Sequence, residues 1–155
     1  MERAMFAGGC FWGVEDAFRT LDGVIETAVG YMGGSTENPT YEIVCSGVTG
    51  HAEVVDIKFD PAVISYLQLI EYFWTQHNPT SLNFQGVDTG TQYRTAIFYY
   101  SEEQRQQAEE SKRVLNVSGK YETPVVTEVT QAGSFWRAEE YHQQYFKKQK
   151  PDFML

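Results

Sequence analysis

Cys10 lies in the run Gly8-Gly9-Cys10-Phe11-Trp12-Gly13, where a short apolar stretch gives way to helical spacing. The pattern places this thiol at a helix N-terminus. Unpaired N–H groups and the positive dipole end there favour the thiolate, the nucleophilic form of cysteine. The flanking glycines permit a sharp turn that leaves the sulfur uncovered, and Phe11 and Trp12 offer apolar walls for a small group. A free cysteine at such a turn can also be a small buried hydrophobe, but the glycine and aromatic setting favours the reactive reading.

A second chemical group comes from strand parity. Across Ala52 to Phe59 the odd positions Glu53, Val55, Ile57 and Phe59 share one face, so a carboxylate is expected to point inward. Burial disfavours the charged form, and Glu53 should therefore keep its proton to higher pH and suit the role of a general acid. Alternatively, a glutamate at a strand's first position can lie past the sheet edge in water. The preceding Gly47-Val48-Thr49-Gly50-His51 favours a site. Tyr41 and Tyr93 are candidate hydroxyl donors for a polar oxygen bound among aromatics, and Asp88 could orient one or receive a backbone amide. His77 and His142 lack a carboxylate or cysteine partner at a telling interval and read as core or surface residues. Trp74 and Trp136 read as core.

Several elements must position these groups. Arg3 to Ala7 reads as a strand, followed by a helix with Phe11, Val14, Phe18 and Leu21 on one face until Asp22-Gly23 stops it. Val24 to Tyr31, Ala52 to Phe59 and Tyr93 to Tyr100 read as strands, and Val125 to Val129 as a further one. Ser65 with Gln68 caps a helix bearing Leu67, Ile70, Phe73 and Trp74, which ends at Asn78-Pro79. Ser101 with Gln104 opens another helix running to about Asn116. Ala138, Tyr141, Tyr145 and Phe146 point to a last short helix, and Met32 to Pro39 is a loop. The alternation, with uneven connections, predicts an α+β two-layer sandwich: a mixed or antiparallel central sheet with helices packed on it, as in a ferredoxin-like plait.

The 155 residues suit a single catalytic domain spanning 1–155. A net charge of −9 leaves no basic stripe for nucleic acid or an anionic membrane. No stretch approaches the ~18 apolar residues of a membrane span, and residues 1–7 do not read as a signal peptide. Cys10 and Cys45 are too few for a disulfide scaffold and wrongly spaced for a zinc cluster with the three histidines. A cytoplasmic protein with reduced thiols is expected.

Three segments, Gly9-Cys10-Phe11-Trp12-Gly13, Cys45 to Val55 and Gly90-Thr91-Gln92-Tyr93-Arg94, resemble the A-type peptide methionine sulfoxide reductases in the family's order. Phe73-Trp74 and His77-Asn78-Pro79-Thr80 lie between them. The resemblance implies that Cys10 attacks the sulfur of a methionine-S-sulfoxide, free or protein-bound, and passes through a sulfenic acid while Glu53 protonates the oxygen. Tyr41 and Tyr93 would hold that oxygen, Phe11 and Trp12 would wall the methyl pocket, and Asp88 would anchor the substrate backbone or a neighbouring group. It implies no metal, flavin or other cofactor, a monomer, and repair of oxidised proteins or peptides.

Two departures bear on the resemblance. The family commonly has Arg and Asn where this chain has Phe84 and Val87, so the substrate range is expected to differ. Many relatives carry resolving cysteines in a glycine-rich C-terminal tail, whereas the run from Lys147 to Leu155 contains none. Direct reduction by thioredoxin, glutaredoxin or a small thiol is therefore expected, with Cys45 a buried bystander.

Two other readings start from the same residues. A redox-sensing module would use Cys10 alone and leave an inward Glu53 and two tyrosine donors without purpose. A cysteine hydrolase would need a histidine base, for which His51 is the candidate.

Overall fold

The computed structural model describes residues 1–149, so the last part of the cysteine-free run, 150–155, lies outside the described residues. β1 (Glu2–Gly8) is buried from Ala4 onward because both of its faces are covered, which is why its sequence reads as a continuous apolar run. Ala4 and Phe6 face one core, while Met5 and Ala7 face another. On one side β1 pairs antiparallel with β3 (Ala52–Phe59), placing Phe6 opposite Val55; on the other it pairs with β6 (Thr95–Tyr99), placing Phe6 opposite Ile97.

β2 (Val24–Met32), β7 (Glu128–Gln131) and β8 (Trp136–Arg137) complete a mixed sheet in the order β7-β6-β1-β3-β2-β8. Among the described residues only the β6–β7 pair of this sheet is parallel. A separate two-residue-stranded hairpin, β4 (Phe84–Gln85) with β5 (Asp88–Thr89), stands beside the sheet.

The helix-bearing face holds α1 (Phe11–Arg19), α3 (Tyr66–Thr75) and α4 (Glu102–Val117). Phe18 of α1 and Phe73 of α3 stack on the Phe6 ring at 5.4 and 4.8 Å, joining two helices to the central strand. Ser65 caps α3 through a reciprocal pair: its hydroxyl accepts the Gln68 N–H, and the Gln68 side chain accepts the Ser65 N–H. On the opposite sheet face, where no helix packs among the described residues, Ala132 and Phe135, in the connection from β7 to β8, pack over Met5, Met32, Val54 and Phe98. The two-layer α+β arrangement expected from the sequence is present. β1, α1, β2, β3, α3 and β6 come in that order, with a short α2 (Tyr41–Cys45) between β2 and β3 and the β4–β5 hairpin between α3 and β6.

Three local expectations are corrected. Tyr93 does not open a strand; it ends a 3-10 turn (Thr91–Tyr93) whose Tyr93 N–H donates to the Gly90 carbonyl at 3.0 Å, and the strand begins at Thr95. The penultimate run starts later than Val125, because the N–H groups of Val125 and Val126 donate to Asn116 Oδ1 (2.7 Å) and the Pro79 carbonyl (2.8 Å), not to β6. The final segment from Ala138 is not one helix but a 3-10 turn (Glu140–His142) followed by α5 (Tyr145–Gln149). Gln144 at φ +51° interrupts it, and the Gln143 amide bridges the N–H and C=O of Val29 at 2.8 and 2.9 Å. No helix among the described residues is long and apolar enough to cross a membrane.

Candidate active site

The strand-to-helix turn does what the glycines allow. Gly9 adopts φ +100°, a conformation open to glycine, and Cys10 follows as the N-cap of α1. A Cβ on Gly9 would come within 3.0 Å of the Gln85 side chain, so the hairpin packs directly against the turn. Cys10 is half-buried.

The N–H groups of Trp12 and Gly13 face its sulfur and favour the thiolate, as expected of a helix N-terminus. The net effect is the reverse of the sequence expectation: burial, aided by the charges of Glu53 and Asp88, pushes the thiol up to about 11. Desolvation outweighs two backbone donors.

Glu53 is inward and 1% exposed, not past the sheet edge. Oε1 accepts the Phe11 N–H at 3.1 Å, tying the carboxyl to the first turn of α1, while Oε2 is buried with no hydrogen-bond partner. Burial raises the group to about 8 against the lowering effect of the Phe11 bond, and Asp88 adds to the rise. At neutral pH it is a protonated acid with a proton to give.

Tyr41 is the first residue of α2 and Tyr93 ends the turn before β6, and each feels the charge of Glu53. Burial holds both as neutral hydroxyls: Tyr93 is raised to about 12 and Tyr41 is raised further. Tyr93 also feels Cys10 and Asp88, so the structure brings Cys10, Glu53, Tyr41, Tyr93 and Asp88 into one electrostatically coupled group. Asp88 sits on β5 opposite Gln85.

Phe11 and Trp12 take different places. Phe11 is 1% exposed and packs into the core against Tyr31 (5.7 Å) and His142 (5.2 Å), leaving Trp12 as the half-buried ring. Trp12 stacks on Tyr145 at 3.8 Å and donates its indole N–H to His142 Nδ1 at 2.8 Å.

Sequence reasoning missed three of the residues that build this region: His142, Glu139 and Tyr31. His142 is buried between Trp12 and Tyr41. Glu139 accepts the Tyr31 hydroxyl on Oε1 and the Tyr41 N–H on Oε2, both at 3.0 Å. Tyr31 lies opposite Glu53 in the β2–β3 register. The dense run Glu139-Glu140-Tyr141-His142 was the available signal, but its partners lie about 100 or more residues away in the chain.

Other residues are placed differently from expectation. Cys45 is exposed at the end of α2, not buried, and shares the electrostatic surroundings of Tyr41, Glu53 and Tyr93. His51 cannot serve as a base: Nδ1 accepts the Gly34 N–H at 3.0 Å and Nε2 donates to the Thr36 carbonyl at 2.7 Å, so the ring clamps the loop. His77 is half-buried just past α3 and bonded to the Phe73 carbonyl and Thr95. Among the described residues, no group of three or more His, Cys, Asp or Glu side chains is placed to hold a metal ion.

The chain is similar to known proteins over nearly its whole length. A methionine sulfoxide reductase MsrA from Methanothermobacter thermautotrophicus is 60% identical over 147 residues, covering 95% of this chain and 87% of that protein. Reduced Mxr1 from Saccharomyces cerevisiae superposes with a TM-score of 0.90 at 33% identity, covering 96% of this chain and 85% of that one. The same yeast protein has also been solved in complex with Trx2, in a form matching at 22% identity and a TM-score of 0.66. The profile of the family described as peptide methionine sulfoxide reductase matches residues 2–154. With a thiol, a neutral buried acid and two phenols gathered at one turn, and this likeness running end to end, the chain belongs to the peptide methionine sulfoxide reductase family.

Proposed function

We propose that this protein reduces methionine-S-sulfoxide, free or within a polypeptide, to methionine with a thiol as reductant. The observation that carries the reading is Glu53: a carboxyl group protonated at neutral pH, one oxygen unpartnered, electrostatically coupled to a half-buried thiol. A sulfoxide oxygen is a poor leaving group until it is protonated, and this acid supplies the proton.

Cys10 Sγ attacks the sulfoxide sulfur as Glu53 protonates the oxygen. The phenols of Tyr41 and Tyr93 donate hydrogen bonds to that oxygen, Trp12 flanks the methyl group, and Asp88 anchors the substrate backbone. Glu53 takes up the thiol proton, so it ends the step as it began. The oxygen passes to cysteine: thiol plus sulfoxide give sulfenic acid plus methionine. One reductant thiol then displaces water to form a mixed disulfide, and a second thiol releases Cys10 and carries away the disulfide. We infer that thioredoxin, glutaredoxin or a small thiol acts directly on Cys10, with Cys45, exposed at the end of α2, taking no part. The Mxr1–Trx2 complex supports thioredoxin as that class of partner. We place the reaction in the cytoplasm, where thiols are kept reduced.

The test is turnover of racemic N-acetyl-methionine sulfoxide amide with dithiothreitol, resolved by epimer. Loss of the S epimer alone, abolished by Cys10→Ser, is the expected result. Consumption of neither epimer, or of both equally, would overturn the reading.

A further inference from the structure

The hairpin of Phe84–Gln85 and Asp88–Thr89 carries an apolar load that the fold does not use. Val87 at its tip is 97% exposed, Leu82 just before it 66%, and Phe84 42%. Single exposed apolar residues are ordinary, but three within six positions on one rigid element are not explained by packing. The element is rigid because the Gln85 amide accepts the Asn78 N–H at 2.9 Å and donates to the Asn78 carbonyl at 2.7 Å, and the Gly90 N–H closes the loop on the Asn83 carbonyl at 2.9 Å. Gly86, at φ +58°, forms the two-residue turn with Val87, and a Cβ there would meet nothing within 4 Å.

The hairpin borders the nucleophile: the Gln85 side chain abuts Gly9, and Asp88 acts on both Cys10 and Glu53. Paired residues share a face, so Gln85 and Asp88 look toward the turn of Cys10, and Phe84 and Thr89 look away from it. A methionine sulfoxide inside a polypeptide has main chain on both sides, and that chain must leave the site over its border.

We infer that the hairpin tip is a docking rim for the polypeptide flanking the sulfoxide, selecting sequences with large apolar residues beside the oxidised methionine. Val87 meets the residue next to the sulfoxide, and Phe84 meets one further along as the chain crosses to the outer face. Such segments are buried in native proteins and exposed in unfolded or damaged ones. The inference rests on the proposed sulfoxide reduction.

The test uses seven-residue peptides with a central methionine-S-sulfoxide, flanked by Leu and Phe in one and by Ser in the other, alongside N-acetyl-methionine sulfoxide amide, with dithiothreitol as reductant. Wild-type kcat/KM is expected to favour the apolar peptide by roughly tenfold, the effect of covering one valine-sized side chain. Val87→Ser is expected to remove most of that ratio, and Phe84→Ser with Val87→Ser to abolish it. Equal rates on both peptides, or a preference unchanged in the variants, would overturn the docking rim, while turnover of the amide would still uphold the chemistry. Failure on the amide would sink the reaction itself. A rise in the KM for thioredoxin in Val87→Ser, with the peptide ratio intact, would assign the rim to the reductant and also overturn the inference.

Discussion

Replacing Glu53 by Gln tests the mechanism and the electrostatics together. The amide keeps an oxygen to accept the Phe11 N–H but has no proton to transfer. Turnover of the S epimer should fall by about 10²–10⁴-fold, the usual contribution of a positioned general acid. Stability should move the other way.

In the wild type the folded group is raised from 4.5 to about 8, so folding holds a proton that the unfolded chain releases. Native molecules therefore bind more protons than unfolded ones between those values, and stability declines as pH rises through that window. At 1.36 kcal/mol per unit, the cost is about 1 kcal/mol at pH 5, about 3 kcal/mol at pH 7 and about 5 kcal/mol above pH 8. Glu53→Gln removes it. Urea unfolding at these three pH values should thus show a variant more stable than the wild type, with a gap that widens toward alkaline pH. A gap independent of pH, or a variant with nearly full turnover, would refute the claim that a neutral buried carboxyl drives the reaction.

Alkylation of Cys10 by iodoacetamide should be slow at neutral pH and still rising above pH 9 in the wild type, since burial and the Glu53 charge both raise the thiol; in Glu53→Gln the profile should shift to lower pH. Tyr93→Phe should lower kcat by about 10²-fold or more, as loss of one preorganised donor to a reacting oxygen does, while leaving the alkylation rate nearly unchanged. Glu139→Gln should lower kcat less and act through Tyr41, whose N–H it holds. Combined with Tyr41→Phe, it should therefore cost less than the sum of the two changes in a double-mutant cycle. Gly9→Ala should destabilise the fold by about 1–3 kcal/mol in urea titrations, because φ +100° and the Gln85 contact leave no place for a methyl group.

Much of this protein is local and therefore written along the chain. The period of two in β3 placed Glu53 on the helix-facing side with Val55, Ile57 and Phe59, and the Ser65–Gln68 pair marked where α3 begins. The two glycines before Cys10 fixed the turn on which the thiol sits. What stayed hidden depends on partners remote in sequence. The trimmed start of β7 is set by Asn116 and Pro79, and the broken last segment by Gln143 reaching Val29.

The site divides in the same way. The residue types of Cys10, Glu53, Tyr41, Tyr93 and Asp88 could be read from motif and parity, because a side chain's chemistry and its face on a strand are local properties. The protonation state of Cys10 could not: a helix N-terminus predicts a lowered thiol, and only the packed structure shows desolvation and two carboxylates reversing that sign. Glu139, His142 and Tyr31 became visible only once the C-terminal segment was folded against β2 and α1. Sequence determines which groups are present and which way each strand turns them, whereas the dielectric around a charge is made by every neighbour the tertiary fold delivers, and that decides where the protons reside.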